Sequence, residues 1–151
     1  MDNETPTIFD HEKLDVYGVS LDFVAWSFSL AEKLKGPMRF ARDQLLRASQ
    51  SIPLNIAEGN GKRSLRDRGH FFEIARGSAL ECAALMDVLM RTKAIQTEEG
   101  ENAKGSLQRI VTMLTGLINR SGEGVREHEM EYGVSWDRVV YEYEREDDKD
   151  D

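Results

Sequence analysis

Residues 51–64 read SIPLNIAEGNGKRS, and the meaning of this stretch decides the fold. An apolar run holding Pro53, Asn55 and Glu58 ends at Gly59-Asn60-Gly61-Lys62-Arg63. A phosphate-binding loop would need a strand, then Gly, four residues and Gly-Lys-Ser/Thr opening a helix. Here Arg63 follows Gly61-Lys62, and Ile56 occupies the place of the first glycine, so that reading fails. The stretch reads instead as one helix ending and reversing into the next. Pro53 lacks an amide hydrogen and crowds the turn before it, which predicts a bend near residues 49–53. Gly59 and Gly61 are expected to supply positive backbone angles for the reversal. Glu58 is expected to face the free amides at the start of the following helix, where the dipole favours negative charge.

Working outward, the upstream helix covers residues 38–58, with Ala41, Leu45, Ala48, Ile52 and Ile56 on one stripe. Downstream, Ser64 is a capping residue and Asp67 stands three residues on. They open a helix whose apolar stripe is Phe71, Ala75, Ser78, Cys82, Leu85 and Leu89. An earlier helix over residues 12–35 stops at Gly36-Pro37, a pair that accepts a left-handed cap and cannot continue. A last helix starts at Thr97, carries Leu107, Ile110, Leu114 and Leu117, and closes at Gly122. No stretch alternates cleanly enough for a strand. The pattern predicts an all-α, antiparallel up-and-down four-helix bundle with an acidic C-terminal tail. Residues 1–11 form an N-terminal arm, 12–121 the bundle and 122–151 the acidic, aromatic-containing tail.

The first helix is apolar on two sides. At about 100° per residue, Leu14, Tyr17, Leu21, Val24, Phe28 and Ala31 form one stripe, and Val16, Val19, Phe23, Trp26, Leu30 and Leu34 form another. A bundle covers one stripe of each helix. The second stripe therefore needs the tail or another copy of the chain, and closed homo-oligomers are the usual solution. Val16, Val19, Phe23, Trp26 and Leu30 are accordingly the expected oligomer interface.

Charge is unevenly placed. The 151 residues carry a net charge of −8. Residues 122–151 hold 12 acidic and 4 basic side chains, so the excess lies entirely in the tail. Residues 39–76 hold eight basic and four acidic ones, and Lys62, Arg63, Arg66 and Arg68 form a cationic rim suited to nucleic-acid phosphate. In the tail, Ser135 precedes Trp136, Val139, Val140 and Tyr143, which share one face of a short amphipathic turn. The N-terminus lacks a cationic start with an apolar core, and no apolar run reaches the roughly 20 residues of a membrane helix. One cysteine, Cys82, excludes an internal disulfide. A cytoplasmic protein without membrane partners is expected.

The stretches DQLLRASQSIPLNIAEGNGKRS and FFEIARGSALECAALMDVL resemble the four-helix-bundle family encoded in intervening sequences of bacterial 23S ribosomal RNA genes. That superfamily includes the accessory variability determinants of diversity-generating retroelements. The likeness spans residues 14–119. The signature positions are Gln44, Arg47, Ala48, Ser51, Ile52, Asn55, Ile56, Ala57, Glu58 and Gly59, then Phe72, Ala75, Arg76, Gly77, Ser78 and Glu81. Pro53 lies inside the first motif. The resemblance implies a homopentamer, no catalytic activity and, for the retroelement relatives, binding to reverse transcriptase and nucleic acid through a basic surface.

Catalytic groups do not converge in the sequence. His11, His70 and His128 lack metal-ligand spacing, and Cys82 sits in LECAAL as a packing residue. Gly77, Ser78 and Ala79 suggest close approach by another helix, with Arg76 and Glu81 latching to the second helix near Arg47 and Ser49. No cofactor or metal is expected. The expectation is a non-enzymatic, homo-oligomeric adaptor for RNA or a ribonucleoprotein such as a reverse transcriptase complex. The alternative is a scaffold that recruits a protein through its acidic tail without nucleic acid.

Overall fold

The computed structural model describes residues 6–132, with side chains to residue 122. Four helices carry the fold: α1 Asp15–Ala31, α2 Arg39–Gly61, α3 Leu65–Arg91 and α4 Thr97–Tyr132. Short 3-10 turns at Asp10–Lys13 and Gly36–Met38 precede α1 and α2. The connections are short, so consecutive helices run antiparallel. Among the described residues there is no strand, and no helix is long and apolar enough to cross a membrane.

The core follows the helical periodicity. Leu45, Ala48, Ile52 and Ile56 of α2 are fully buried against Phe72, Ala75, Cys82, Met86 and Leu89 of α3. Leu107, Ile110 and Leu114 of α4 close the third side. In α3 the buried stripe includes Phe72, Ala79 and Met86, one residue round from the expected Phe71 and Ser78, which are half-buried. Two apolar neighbours compete at 71–72. Phe72 wins because it lies on the same side as Ala75, Ala79 and Cys82.

Turn chemistry differs from expectation at the central reversal. Gly36 has φ +61 and is the left-handed residue between α1 and α2. Gly59 and Gly61 remain helical, so they do not supply positive angles. The reversal is made by extended Lys62 and Ser64, and the Ser64 Oγ accepts from the Asp67 amide at 3.0 Å. Pro53 lies inside α2 without interrupting it. The turn from α3 to α4 places Lys93 at φ 61. The Lys93 amide donates to the Met90 carbonyl and the Ala94 amide to the Leu89 carbonyl, a Schellman ending with lysine where glycine is usual.

Two boundaries also move. α1 ends at Ala31, four residues before Lys35, although Leu34 is still buried. α4 does not close at Gly122 and continues to Tyr132, since glycine inside a helix costs only about 1 kcal/mol when no other ending is favoured.

α1 corrects the expected interface. Val16, Phe23 and Leu30 are each 3% exposed, packed on the chain's own core rather than available to another copy. Val19 and Trp26 are half-buried against the same core. The other stripe is left open only at its middle: Leu21 is 43% and Phe28 46% exposed, with Val24 half-buried between them, while Ala31 is buried. Ser20 and Ser27 share the inward face, which two apolar stripes had obscured. Their hydroxyls donate to the Tyr17 and Phe23 carbonyls at 2.7 and 2.8 Å, which meets the hydrogen-bond requirement of burial.

Candidate functional site

The motif residues of α2 and α3 meet along one polar seam. Arg47, Ser51, Asn55 and Glu58 recur every three or four residues and so share a face of α2. Serine and asparagine belong here because each bonds within its own helix and still reaches across. The Asn55 amide donates to the Ser51 carbonyl at 2.8 Å and to the Ser51 Oγ at 3.0 Å. The Ser78 Oγ of α3 then donates to the Ser51 Oγ at 2.8 Å. One helical turn earlier in α2, Arg47 donates to the Glu81 carboxylate at 2.7 Å.

This is the expected latch in part. Glu81 meets Arg47, but Arg76 turns away from α2, and its Nε donates to the Thr115 Oγ1 of α4 at 2.9 Å. Gly77 has open space where a Cβ would stand, so it is not a site of close approach within the chain. That role belongs to Gly59, where a Cβ would lie 2.9 Å from the Phe71 Cβ and 3.1 Å from the Phe72 ring.

The cationic rim is only partly open. Lys62 stands 3.8 Å from Glu58 and 5.0 Å from the centroid of the Phe71 ring. Glu58 is thereby an exposed neighbour of Lys62 rather than a cap on α3, a place already taken by Ser64. The Arg68 guanidinium donates to the Asn60 carbonyl and to its side-chain oxygen, both at 3.1 Å. Asn60 in turn donates to Asp10 at 2.9 Å, so the N-terminal arm, the end of α2 and the start of α3 are tied together. That bond, aided by nearby Lys13, holds the Asp10 carboxyl below its usual range. Arg63 and Arg66 are exposed beside the turn. Asn60 and Asp10 escaped the sequence analysis because their pairing spans fifty positions with no motif to mark it.

Among the described residues Cys82, His11 and His70 stand apart from one another. Cys82 is fully buried, and burial, with Glu81 beside it, pushes its thiol up to about 12. His11 lies between the Phe9 and Tyr17 rings, and His70 meets Phe71 edge-on. Among the described residues no group of His, Cys, Asp or Glu is arranged to hold a metal ion. The seam can hold two helices in register and present a mixed polar surface; it brings no nucleophile to a base.

Such a chain, four antiparallel helices with a polar seam between α2 and α3, is a helical-bundle protein. The family model described as 23S rRNA-intervening sequence protein matches residues 12–116, and the chain belongs to that family. A solved structure from Bacteroides thetaiotaomicron, described as a protein of unknown function from the S23 ribosomal protein family, is 28% identical. It aligns with a TM-score of 0.64 over 68% of this chain and 97% of that one. No curated protein matches the chain.

Proposed function

We propose that this protein is a non-enzymatic, homo-oligomeric adaptor that associates with RNA or a ribonucleoprotein, a reverse transcriptase complex being one such partner. The observation that carries the reading is the family match over residues 12–116. Two features support it. Leu21 and Phe28 of α1 remain exposed, outside the described core, and exposed apolar stripes favour association. Arg63 and Arg66 project beside the α2–α3 turn in a segment richer in basic than acidic side chains. A homopentamer is the assembly proposed, and the cytoplasm its place of work.

Retention on RNA that falls steeply with salt and disappears on replacing Lys62, Arg63, Arg66 and Arg68 together by Gln is the expected result. Because Arg68 also holds the start of α3 to Asn60 at the end of α2, the single variant Arg63→Gln is the cleaner arm. RNA retention unaffected by either variant sinks the nucleic-acid reading. The engagement of Lys62 and Arg68 within the chain favours a second reading, a scaffold that recruits a protein through its acidic tail. Capture of one protein that depends on residues 133–151, with no RNA retained, is its result.

A further inference from the structure

The outer face of α3 is apolar and exposed. Ile74, Leu80 and Val88 are 38%, 47% and 49% exposed, and Gly77 and Ala84 lie open between them. At about 100° per residue these five positions fall within about 120° of one another, so they make one stripe along the helix. Gly77 stands in mid-helix with open space where a Cβ would lie. It weakens the helix without serving a contact inside the chain.

The charges on this face match a copy turned end for end. Glu73 and Arg91 are eighteen residues apart, about five full turns. They therefore leave the same side of α3 at opposite ends of the stripe, about 27 Å apart at 1.5 Å per residue. Both are exposed, and among the described residues neither forms an ion pair. The other charged groups along the face are engaged: Glu81 by Arg47 at 2.7 Å, Asp87 by Lys104 at 2.7 Å, and Arg76 by Thr115 at 2.9 Å. At the far end of α3, Arg91 shares a shallow pocket with Asp87, Lys93 and Glu101. With Lys104 on Asp87, three cations meet two carboxylates there, which leaves Arg91 in excess.

Residue 82 is the midpoint between Glu73 and Arg91 and also between Leu80 and Ala84. An antiparallel copy turned about that point sets a large side chain on a small one twice, and opposite charges together twice. Such reciprocity is what a two-fold contact requires, and complementary charge names the partner.

We propose that two copies of the chain pair through the outer face of α3, antiparallel about a two-fold axis, with Leu80 of each on Ala84 of the other and Glu73 of each beside Arg91 of the other. Gly77 then faces the turn that carries Val88 of the second copy, where its missing Cβ leaves room. A shallow crossing of about 20° keeps the helix ends within reach. The pairing rests on the homo-oligomer reading and adds to it a face and a symmetry. Among the described residues α1 and α3 do not meet, each packing on α2 and α4. The Leu21–Phe28 face therefore lies across the bundle and stays free for the other contact.

In the test, full-length Glu73→Cys and Arg91→Cys chains are mixed at micromolar concentration and treated with a short bis-maleimide, Cys82 being buried. Linked dimers should form between the unlike variants and at least about fivefold less in either variant alone, because like positions of a pair stand about 27 Å apart. Adding Leu80→Asp to both chains should abolish the link. Separately, Glu73→Arg and Arg91→Glu should each lower the average mass in sedimentation, and the chain carrying both should recover it, a rescue that a folding defect does not give. Equal linking of like and unlike variants, no linking, linking that survives Leu80→Asp, or a double variant no heavier than the singles overturns the proposal. Leu21→Asp with Phe28→Asp should leave the link intact, and none of these readouts uses RNA, so this pairing and the adaptor reading fail separately.

Discussion

At Gly59 one methyl group would decide how closely α2 and α3 pack. The nearest atom is the Phe71 Cβ, 2.9 Å from the built position, and a Cβ cannot swing aside as a flexible side-chain end can. Gly59→Ala should therefore cost about 1–3 kcal/mol, read as a lower urea midpoint with unchanged slope. Gly77, exposed in mid-helix with open space around it, should behave oppositely. Gly77→Ala is expected to stabilise the isolated chain by about 0.5–1 kcal/mol. Lys93 holds a left-handed angle that costs a side chain about 1–2 kcal/mol, so Lys93→Gly should raise the melting temperature. The Arg47–Glu81 pair is short but lies at the surface, and its loss should cost under about 1 kcal/mol. Cys82 carries a pH signature. Its thiol ionises near 8.5 in the unfolded chain and near 12 in the fold. The unfolded state therefore gives up its proton first, and stability should fall as pH rises from about 9 toward 12. Denaturation series at several alkaline pH values should show this limb flattened in Cys82→Ala.

Among the elements, α1 is the least embedded. It carries two buried serines on its inward face and meets α4 across open grooves, whereas α3 lies between α2 and α4 with Phe72, Met86 and Leu89 fully enclosed. Local opening follows the density of buried apolar contact. Hydrogen exchange of α1 amides should be faster than that of the centre of α3, and a match between the two would contradict this ordering. The reversal after α2 is built from Ser64 and extended Lys62 rather than from glycine conformations. Ser64→Ala should consequently destabilise by about 1 kcal/mol, the usual effect of removing a helix cap.

For the whole molecule, the apolar side chains of α1 left at the surface lie away from the expected interface. Leu21 and Phe28 are exposed in the single chain, while Val16, Phe23 and Leu30 are enclosed. Leu21→Asp with Phe28→Asp should leave the fold intact, because neither side chain supports the core, and should shift the sedimenting species toward a single chain. Phe23→Asp should instead unfold it. An assembly indifferent to the first pair would mean that copies meet elsewhere.

The sequence by itself determined the helical class, the number of helices, the turn at Gly36 and the stripes of α2 and α4, because each depends on periodicity and on residues within a few positions. It also placed Glu81 near Arg47, while Ser51, Asn55 and Glu58 stood out as positions shared with the family the sequence resembles. Only the tertiary structure decided which of two apolar stripes on α1 turns inward, since periodicity finds faces but not neighbours. The same holds for Arg76 choosing Thr115, for Arg68 being drawn to Asn60 and Asp10, and for Gly59 serving contact rather than turning. Each is settled by distances between segments far apart in the chain, and those exist only once the helices have packed.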